Sequence, residues 1–250
     1  MRYRESPSTC RGSTSPPSYR GLILVSDSSL PHPGHPPHPP QPFTVDSAAY
    51  ERLCHAVAVL NPTALIFDCD GTLADSMPVH FVAWRETLEP LGVDFSEERF
   101  YALAGVPSDR ILEMLGAEQG IDLDIDRLAV EKEERFLLHL PNLQPIPEVA
   151  RLAQDRFGLC PIAVASGGFR EIVHLQLKHL AIHELFPVVV TAEDTERHKP
   201  EPDVFLKAAE LLAVEAGNCC VLEDSDLGIE AAKRAGMTWI DVRPWHPPRE

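Results

Sequence analysis

Five short apolar runs, most of them closing on polar residues, constrain this chain more than any other feature: 63–68 (TALIFD), 161–166 (PIAVAS), 188–192 (VVVTA), 220–224 (CVLED) and 238–242 (TWIDV). A strand with one wet face alternates apolar and polar residues. These runs are apolar on both faces, which predicts strands buried in a parallel sheet. Between them, 147–157, 169–180, 203–214 and 227–235 carry the helical period. Pro202-Asp203 supplies a start signal for the third of these segments and Gly236 a stop signal for the fourth. Repeated strand-helix units with right-handed crossovers make an α/β, doubly wound parallel-sheet core.

One connection breaks the rhythm. From Asp68 to the next run at Pro161 is 93 residues, whereas a crossover with its helix needs only about 10 to 12. The intervening chain reads as helical over 79–91, 97–104, 109–119 and 126–140. A small helical cap at 76–145, inserted into a core made of 44–75 and 146–250, is therefore predicted.

Residues 1–43 differ in kind. Prolines stand at 7, 16, 17, 31, 33, 36, 37, 39, 40 and 42 with many serines between them. Such a segment buries too little apolar surface to offset its ordering entropy, so a disordered tail with local polyproline II character is expected. His32, His35 and His38 would then share a face, as a metal-binding tail or as part of a solvated linker. Arg2, Arg4, Arg11 and Arg20 suggest an organelle transit peptide, although the prolines forbid its usual amphipathic helix. A translation start near Val45 is a third reading.

The formal charge of −16 opposes binding to nucleic acid or to an anionic membrane surface, both polyanions that need basic partners. No apolar stretch approaches the ~20 residues that span a bilayer. Cys10, Cys54, Cys69, Cys160, Cys219 and Cys220 form no C-x-x-C pair and read as core thiols in a reducing compartment. A cytoplasmic monomer acting on a small molecule is expected.

In an open parallel sheet, ligands bind beyond the carboxyl ends of the strands, and there the polar residues gather. Asp68 and Asp70 follow the first run, Ser166 ends the second, Lys199 lies soon after the third, and Glu223 and Asp224 end the fourth. Residues two apart on an extended chain share a side, and Gly71 lets the backbone turn at once. Two nearby carboxylates divide their labour when one stays ionised and the other holds a proton. That suits Asp68 as nucleophile and Asp70 as general acid, then base. With Glu223 and Asp224 added, the negative cluster needs a cation; hard oxygen ligands with room for water and phosphate favour Mg²⁺. Such an ion also answers how so acidic a chain could attract a phosphate dianion. Lys199, held between prolines in His-Lys-Pro-Glu-Pro-Asp, can offset charge on Asp68 and on a transferring phosphoryl group. Ser166 with Gly167 and Gly168 offers a hydroxyl and backbone N–H groups to phosphate oxygens at a helix start.

Together DCDGT (68–72), ASGG (165–168), HKPEPD (198–203) and LEDSDLGIEAAKRAGM (222–237) resemble the four ordered motifs of the haloacid dehalogenase-like superfamily. The resemblance is to its β-phosphoglucomutase and sugar-phosphate phosphatase branch, whose Rossmannoid core carries a small helical cap directly after the first motif. It implies an aspartyl phosphate on Asp68, proton transfer by Asp70, and a phosphoryl group held by Ser166 and Lys199. It further implies Mg²⁺ bound by Asp68, the Asp70 carbonyl and Asp224, with Glu223 ligating directly or through water. His80, Trp84 and Lys132 resemble cap positions that face substrate; for Lys132 a solvated pairing with Glu131 or Asp126 is the alternative. Arg85 and Arg110 are poorer candidates, and Asp226 could equally cap the following helix.

The expected activity is hydrolysis of a small sugar phosphate such as fructose 1-phosphate. A β-phosphoglucomutase-type isomerase is the nearest rival, but that pattern places a phosphate-gripping arginine close to Ser108, and here Arg110 stands two residues on. A non-enzymatic binding protein using the proline-rich tail would not need Asp68, Asp70, Lys199 and Asp224 together.

Overall fold

Strands β1 (Ala64–Phe67), β2 (Ile162–Ala165), β3 (Val188–Val190), β4 (Cys219–Glu223) and β5 (Thr238–Asp241) form one sheet in the order β3-β2-β1-β4-β5. Every pairing in it is parallel. The structure, a computed structural model, describes residues 42–248; the disorder expected for the tail lies outside the described residues as far as 41. Burial on both faces holds for β1, β2 and β4, the three central strands. The edge strands β3 and β5 are only half buried, and Trp239 of β5 is 40% exposed. An edge strand lacks a neighbour on one side, so less of it is covered.

Leu65 and Phe67 point into one layer of the core, Ala64 and Ile66 into the other. The first layer receives α6 (Pro147–Arg156) through Val149, Leu152 and Ala153, and α7 (Arg170–His179) through Ile172, Val173 and Leu177. The second receives α8 (Asp203–Leu212) through Val204, Phe205 and Ala208, and α9 (Asp226–Arg234) through Ala231 and Ala232.

Helix α1 (Ser47–Leu60), which no strand-helix rhythm announces, joins the first layer by burying Leu53 and Val57. Asp46 caps it by accepting from Ala49 N (2.7 Å), Tyr50 donates to Asp155 (2.6 Å), and Trp245 Nε1 donates to the Ala49 carbonyl (2.8 Å). Phe43, assigned to the tail from sequence, packs on the same layer, and its N–H donates to Gln154 (3.2 Å). Among the described residues, Phe43 thus belongs with the packed core.

Between β1 and β2 run α2 (Met77–Leu88), α3 (Glu97–Ala102), α4 (Ser108–Gln119) and α5 (Ile125–His139). Their buried faces meet in a separate cluster that includes Trp84, Leu88, Phe95, Phe100, Leu112 and Leu128. The α-helix expected to reach residue 91 ends at Leu88 and tightens into a 3₁₀ turn over Glu89–Leu91. Pro90 has no N–H to continue the ladder.

β1 is central, and its neighbours β2 and β4 lead the chain toward opposite edges. The sheet's switch point is therefore its carboxyl end. Phe67 is level with Val164 and Leu222, so Asp68, Ser166 and Glu223 emerge on one edge.

Because Leu53 is fully buried, Leu53→Ala should lower the unfolding free energy by about 2–5 kcal/mol. A urea melt checks this, and an unchanged midpoint would mean that α1 is not part of the cooperative core.

Candidate active site

The side chain of Lys199, 8% exposed, donates to Asp68 Oδ1 (2.6 Å) and to Glu223 Oε2 (2.8 Å). Burial alone would lower its pKa, but Asp68 and Glu223 together raise it above the ordinary lysine value. It stays charged. Burial, and after it the nearby Glu223, pushes Asp68 up to about 7 despite that lysine. The loop that delivers the ammonium contains a cis bond at Lys199-Pro200.

Carboxylate oxygens of Asp68, Glu223 and Asp224 all lie within 4.8 Å of one another and are buried. One lysine among them leaves the cluster negative. Asp224 shows the strain, raised well above the usual carboxylate range by burial and then by Glu223 and Asp68. Hard oxygen donors in net excess over positive charge fit a divalent cation. Gly71 matters here. It has φ +77°, and a Cβ on it would lie 2.0 Å from Asp224 Oδ2, so only glycine brings the first loop this close to the second.

Glu223 takes a more specific part than its place in the motif suggests. Its Oε1 accepts from Ser225 N (2.9 Å), Ser225 Oγ (2.8 Å) and Asp224 N (3.2 Å), while Oε2 accepts from Lys199. A Cβ on Gly228 would stand 2.0 Å from its Cδ. The carboxylate thus aims Lys199 and holds the Asp224 loop. Ser225, rather than Asp226, caps α9 by accepting from Gly228 N (3.0 Å). Asp226 pairs with Arg243 (3.0 Å) and is 87% exposed.

Asp70 is gripped differently. Ser76 Oγ (2.7 Å), Gln176 Nε2 (2.9 Å) and His80 Nε2 (3.1 Å) converge on its Oδ1. Partial burial works to raise its pKa, but His80, Ser76 and Gln176 outweigh it and hold the carboxyl well below the usual range. On the far side of the ring, His80 Nδ1 lies 2.9 Å from Lys132 Nζ. A lysine ammonium can only donate, so Nδ1 accepts and Nε2–H points at Asp70. Lys132 also donates to Glu133 (2.9 Å), and both are buried. Neither Glu131 nor Asp126 holds it: Glu131 instead pairs with Arg127 and Arg135.

One expectation for the insert is corrected. Trp84, read as facing substrate, lies 2% exposed in the insert's own core, edge-on to Phe95 at 5.6 Å and under Lys132 Nζ at 5.5 Å. A large apolar ring gains more from that core than from a polar cleft. Arg85 and Arg110 are spent on the helix neighbours Glu89 and Glu113.

Ser166 Oγ accepts from Gly168 N (3.0 Å), and a Cβ on Gly168 would lie 3.3 Å from both that oxygen and Asp70 Oδ2. Gly167 is exposed, with nothing within 4 Å of a Cβ built on it. The helix proper starts later than expected. The first N–H of α7, on Arg170, is taken by Glu193 (2.8 Å), so a phosphate would meet the Ser166–Gly168 loop rather than the helix end.

Beside Asp224 opens a cleft of about 650 Å³ between insert and core, lined by Met77, Tyr101 and Val106 on one side and Ser225, Leu227 and Arg243 on the other. Its size suits a small ligand. Sequence reasoning missed Tyr101, Arg243 and Gln176. Gln176 alone left a trace, as a polar residue on the otherwise apolar face Ile172, Val173, Leu177 of α7.

A doubly wound sheet with acidic tips, a buried lysine at the switch point and a helical insert after the first strand defines an α/β enzyme of phosphate chemistry. A model of the haloacid dehalogenase-like hydrolase family matches residues 65–242, and the chain belongs to that family. It is 40% identical over 181 residues to fructose-1-phosphate phosphatase YqaB of Escherichia coli K12, covering 72% of this chain and 95% of that protein. It is 31% identical over 193 residues to the β-phosphoglucomutase of Bacillus subtilis, covering 74% and 84%. Among solved structures, β-phosphoglucomutase from Clostridium difficile superposes with a TM-score of 0.65 at 26% identity, over 72% of this chain and 84% of that one. The protein is a phosphatase-class enzyme of this family. Among the described residues, no helix is long and apolar enough to cross a membrane.

Like charges crowded around Asp224 predict two thermal shifts. A divalent cation at a hundred times its Kd should stabilise the protein by about 2.7 kcal/mol, several degrees in Tm. Asp224→Asn should raise the Tm of the cation-free protein and abolish the cation-induced shift. A wild-type Tm indifferent to cation would refute the metal reading.

Proposed function

We propose that this protein is a Mg²⁺-dependent phosphomonoesterase that hydrolyses fructose 1-phosphate or a closely similar sugar phosphate through a phosphoaspartyl intermediate on Asp68. The observation that carries this reading is the buried Asp68–Lys199–Glu223 bridge beside Asp224. It provides a fixed nucleophile, a fixed positive charge and a place for one cation.

Asp68 and Asp224, with the Asp70 carbonyl, would hold Mg²⁺, and Glu223 would support the site from behind. When bound, the ion neutralises the carboxylates and polarises the phosphoryl oxygens. Ser166 and the Gly167 backbone would receive the non-bridging oxygens, and Lys199 would offset charge as Asp68 attacks phosphorus. Asp70 would deliver a proton to the departing sugar oxygen and then take one from the water that cleaves the aspartyl phosphate. Its ionised state suits the second step, and an incoming phosphate dianion beside Oδ2 raises its proton affinity for the first. Within the insert, His80 and Lys132 support proton handling at Asp70, and the cleft beyond Asp224 supports placement of the sugar there.

The 40% identity to fructose-1-phosphate phosphatase YqaB favours hydrolysis of that substrate. Against isomerisation stands Arg110, tied to Glu113 on an exposed helix face rather than free to grip a second phosphate. Unpaired thiols at Cys69, Cys219 and Cys220, all buried, support a reducing, cytoplasmic setting.

Phosphate release from fructose 1-phosphate should require Mg²⁺ and fall by about 10⁴-fold or more in Asp68→Asn with the fold intact by circular dichroism. Retained turnover in that variant would remove Asp68 from the role of nucleophile. On β-glucose 1-phosphate, free phosphate should appear faster than glucose 6-phosphate in a coupled assay; the reverse order would favour the mutase.

A further inference from the structure

Gln176 is a fully buried polar residue on α7, at a position where the helix otherwise presents Ile172, Val173 and Leu177 to the core. A buried amide must satisfy both of its ends or destabilise the core. Here the chemistry of its neighbours dictates which end goes where. The Asp70 carboxylate only accepts hydrogen bonds, so the amide nitrogen faces it, at 2.9 Å from Oδ1. The amide oxygen then faces the thiol of Cys69, which donates at 3.9 Å. Both contacts land on the first catalytic loop, and both come from a helix of the core.

This arrangement divides the support of Asp70 between two bodies. Ser76 and His80 reach Oδ1 from the start of the helical insert, so their hydrogen bonds depend on where the insert sits. Gln176 reaches the same oxygen from the layer that carries β1 and β2. All three act on Oδ1. The other oxygen, Oδ2, lies beside Gly168 and Ser166, on the side where a phosphoryl group would be received. Clamping one carboxylate oxygen leaves the second as the one presented to the reacting atoms, and misplacing such a group by about 1 Å costs on the order of 10²-fold in rate.

We infer that Gln176 is a positioning residue for Asp70: from the core, and independently of the insert, it fixes the carboxylate so that Oδ2 meets the leaving oxygen of the substrate. This rests on the reading of Asp70 as proton donor to that oxygen. During transfer the P–O bond to the leaving group breaks, Asp68 forms the new P–O bond, and the proton moves from Asp70 Oδ2 to the departing oxygen. Gln176 takes no part in the bonds exchanged.

The test is a series of substituted phenyl phosphates of graded leaving-group basicity, hydrolysed by the full chain with Mg²⁺, with kcat/KM plotted against that basicity. A leaving group that departs without a proton is indifferent to Asp70, whereas a basic one needs it. Wild type should give a shallow slope. Gln176→Met, which keeps the volume but removes the donor, should steepen it, with a loss of about 10- to 100-fold at the basic end and under about threefold at the acidic end. Gln176→Asn, which keeps an amide one methylene too short to reach, carries the same expectation should the methionine variant fold poorly. Asp70→Asn should give the steepest slope. Equal losses across the series, or an unchanged slope, in Gln176 variants while Asp70→Asn steepens would overturn the inference alone. An unchanged slope in Asp70→Asn would overturn the proton-donor reading, and the Gln176 inference with it.

Discussion

One buried ammonium spans two carboxylates from different strands, and the rest of the site is arranged around it. Lys199 joins Asp68, beyond β1, to Glu223, at the end of β4. Three charges taken out of water in this way are costly unless each is hydrogen-bonded. Glu223 meets that condition with three further donors from its own loop, and Lys199 meets it by contacting both acids. The bridge therefore does more than neutralise. It ties the two loops that carry Asp68 and Asp224, and with Gly71 packed on Asp224 it sets the spacing at which a cation can sit.

Asp70 occupies a separate electrostatic environment two residues away. Asp68 is pushed up by burial and by Glu223, whereas Asp70 is held down by three donors. Neighbouring carboxylates with opposite shifts can take different roles in one reaction. The donors to Asp70 come from both the core and the insert, so the state of this group is linked to the placement of the helices that follow it. The same insert contributes Tyr101 and Val106 to the cleft. Contacts to Asp70 and one wall of the cleft thus come from one structural unit.

Much of the fold was legible because buried parallel strands leave an unmistakable trace: TALIFD, PIAVAS and CVLED are apolar on both faces up to their polar ends and became the three central strands. The oversized gap between the first two runs pointed to an insert, and helices fill it. Less legible was α1, whose position before β1 belongs to no strand-helix repeat and whose anchor, Trp245, lies nearly two hundred residues away. Trp84 misled because resemblance to a cap position does not say which partner that face of the helix meets. Glu223 was legible as an acid at a strand tip, but its four donors lie on a turn and a distant loop, and only their geometry distinguishes a ligand from a brace.

By itself the sequence determined the class of fold, the strand tips at which polar residues collect, and the membership of Asp68, Asp70, Ser166, Lys199 and Asp224 in a common edge. Periodicity and motif order are local properties, and a parallel sheet converts them into place by aligning every carboxyl end. Which acid braces and which faces the cleft, why Trp84 is buried, and that Gln176 reaches Asp70 were decided only by the tertiary structure. Those contacts include close neighbours, as in Glu223 with Ser225, and residues more than a hundred positions apart, as in Gln176 with Asp70, and a hydrogen bond forms or fails over tenths of an ångström, a scale that residue spacing does not encode.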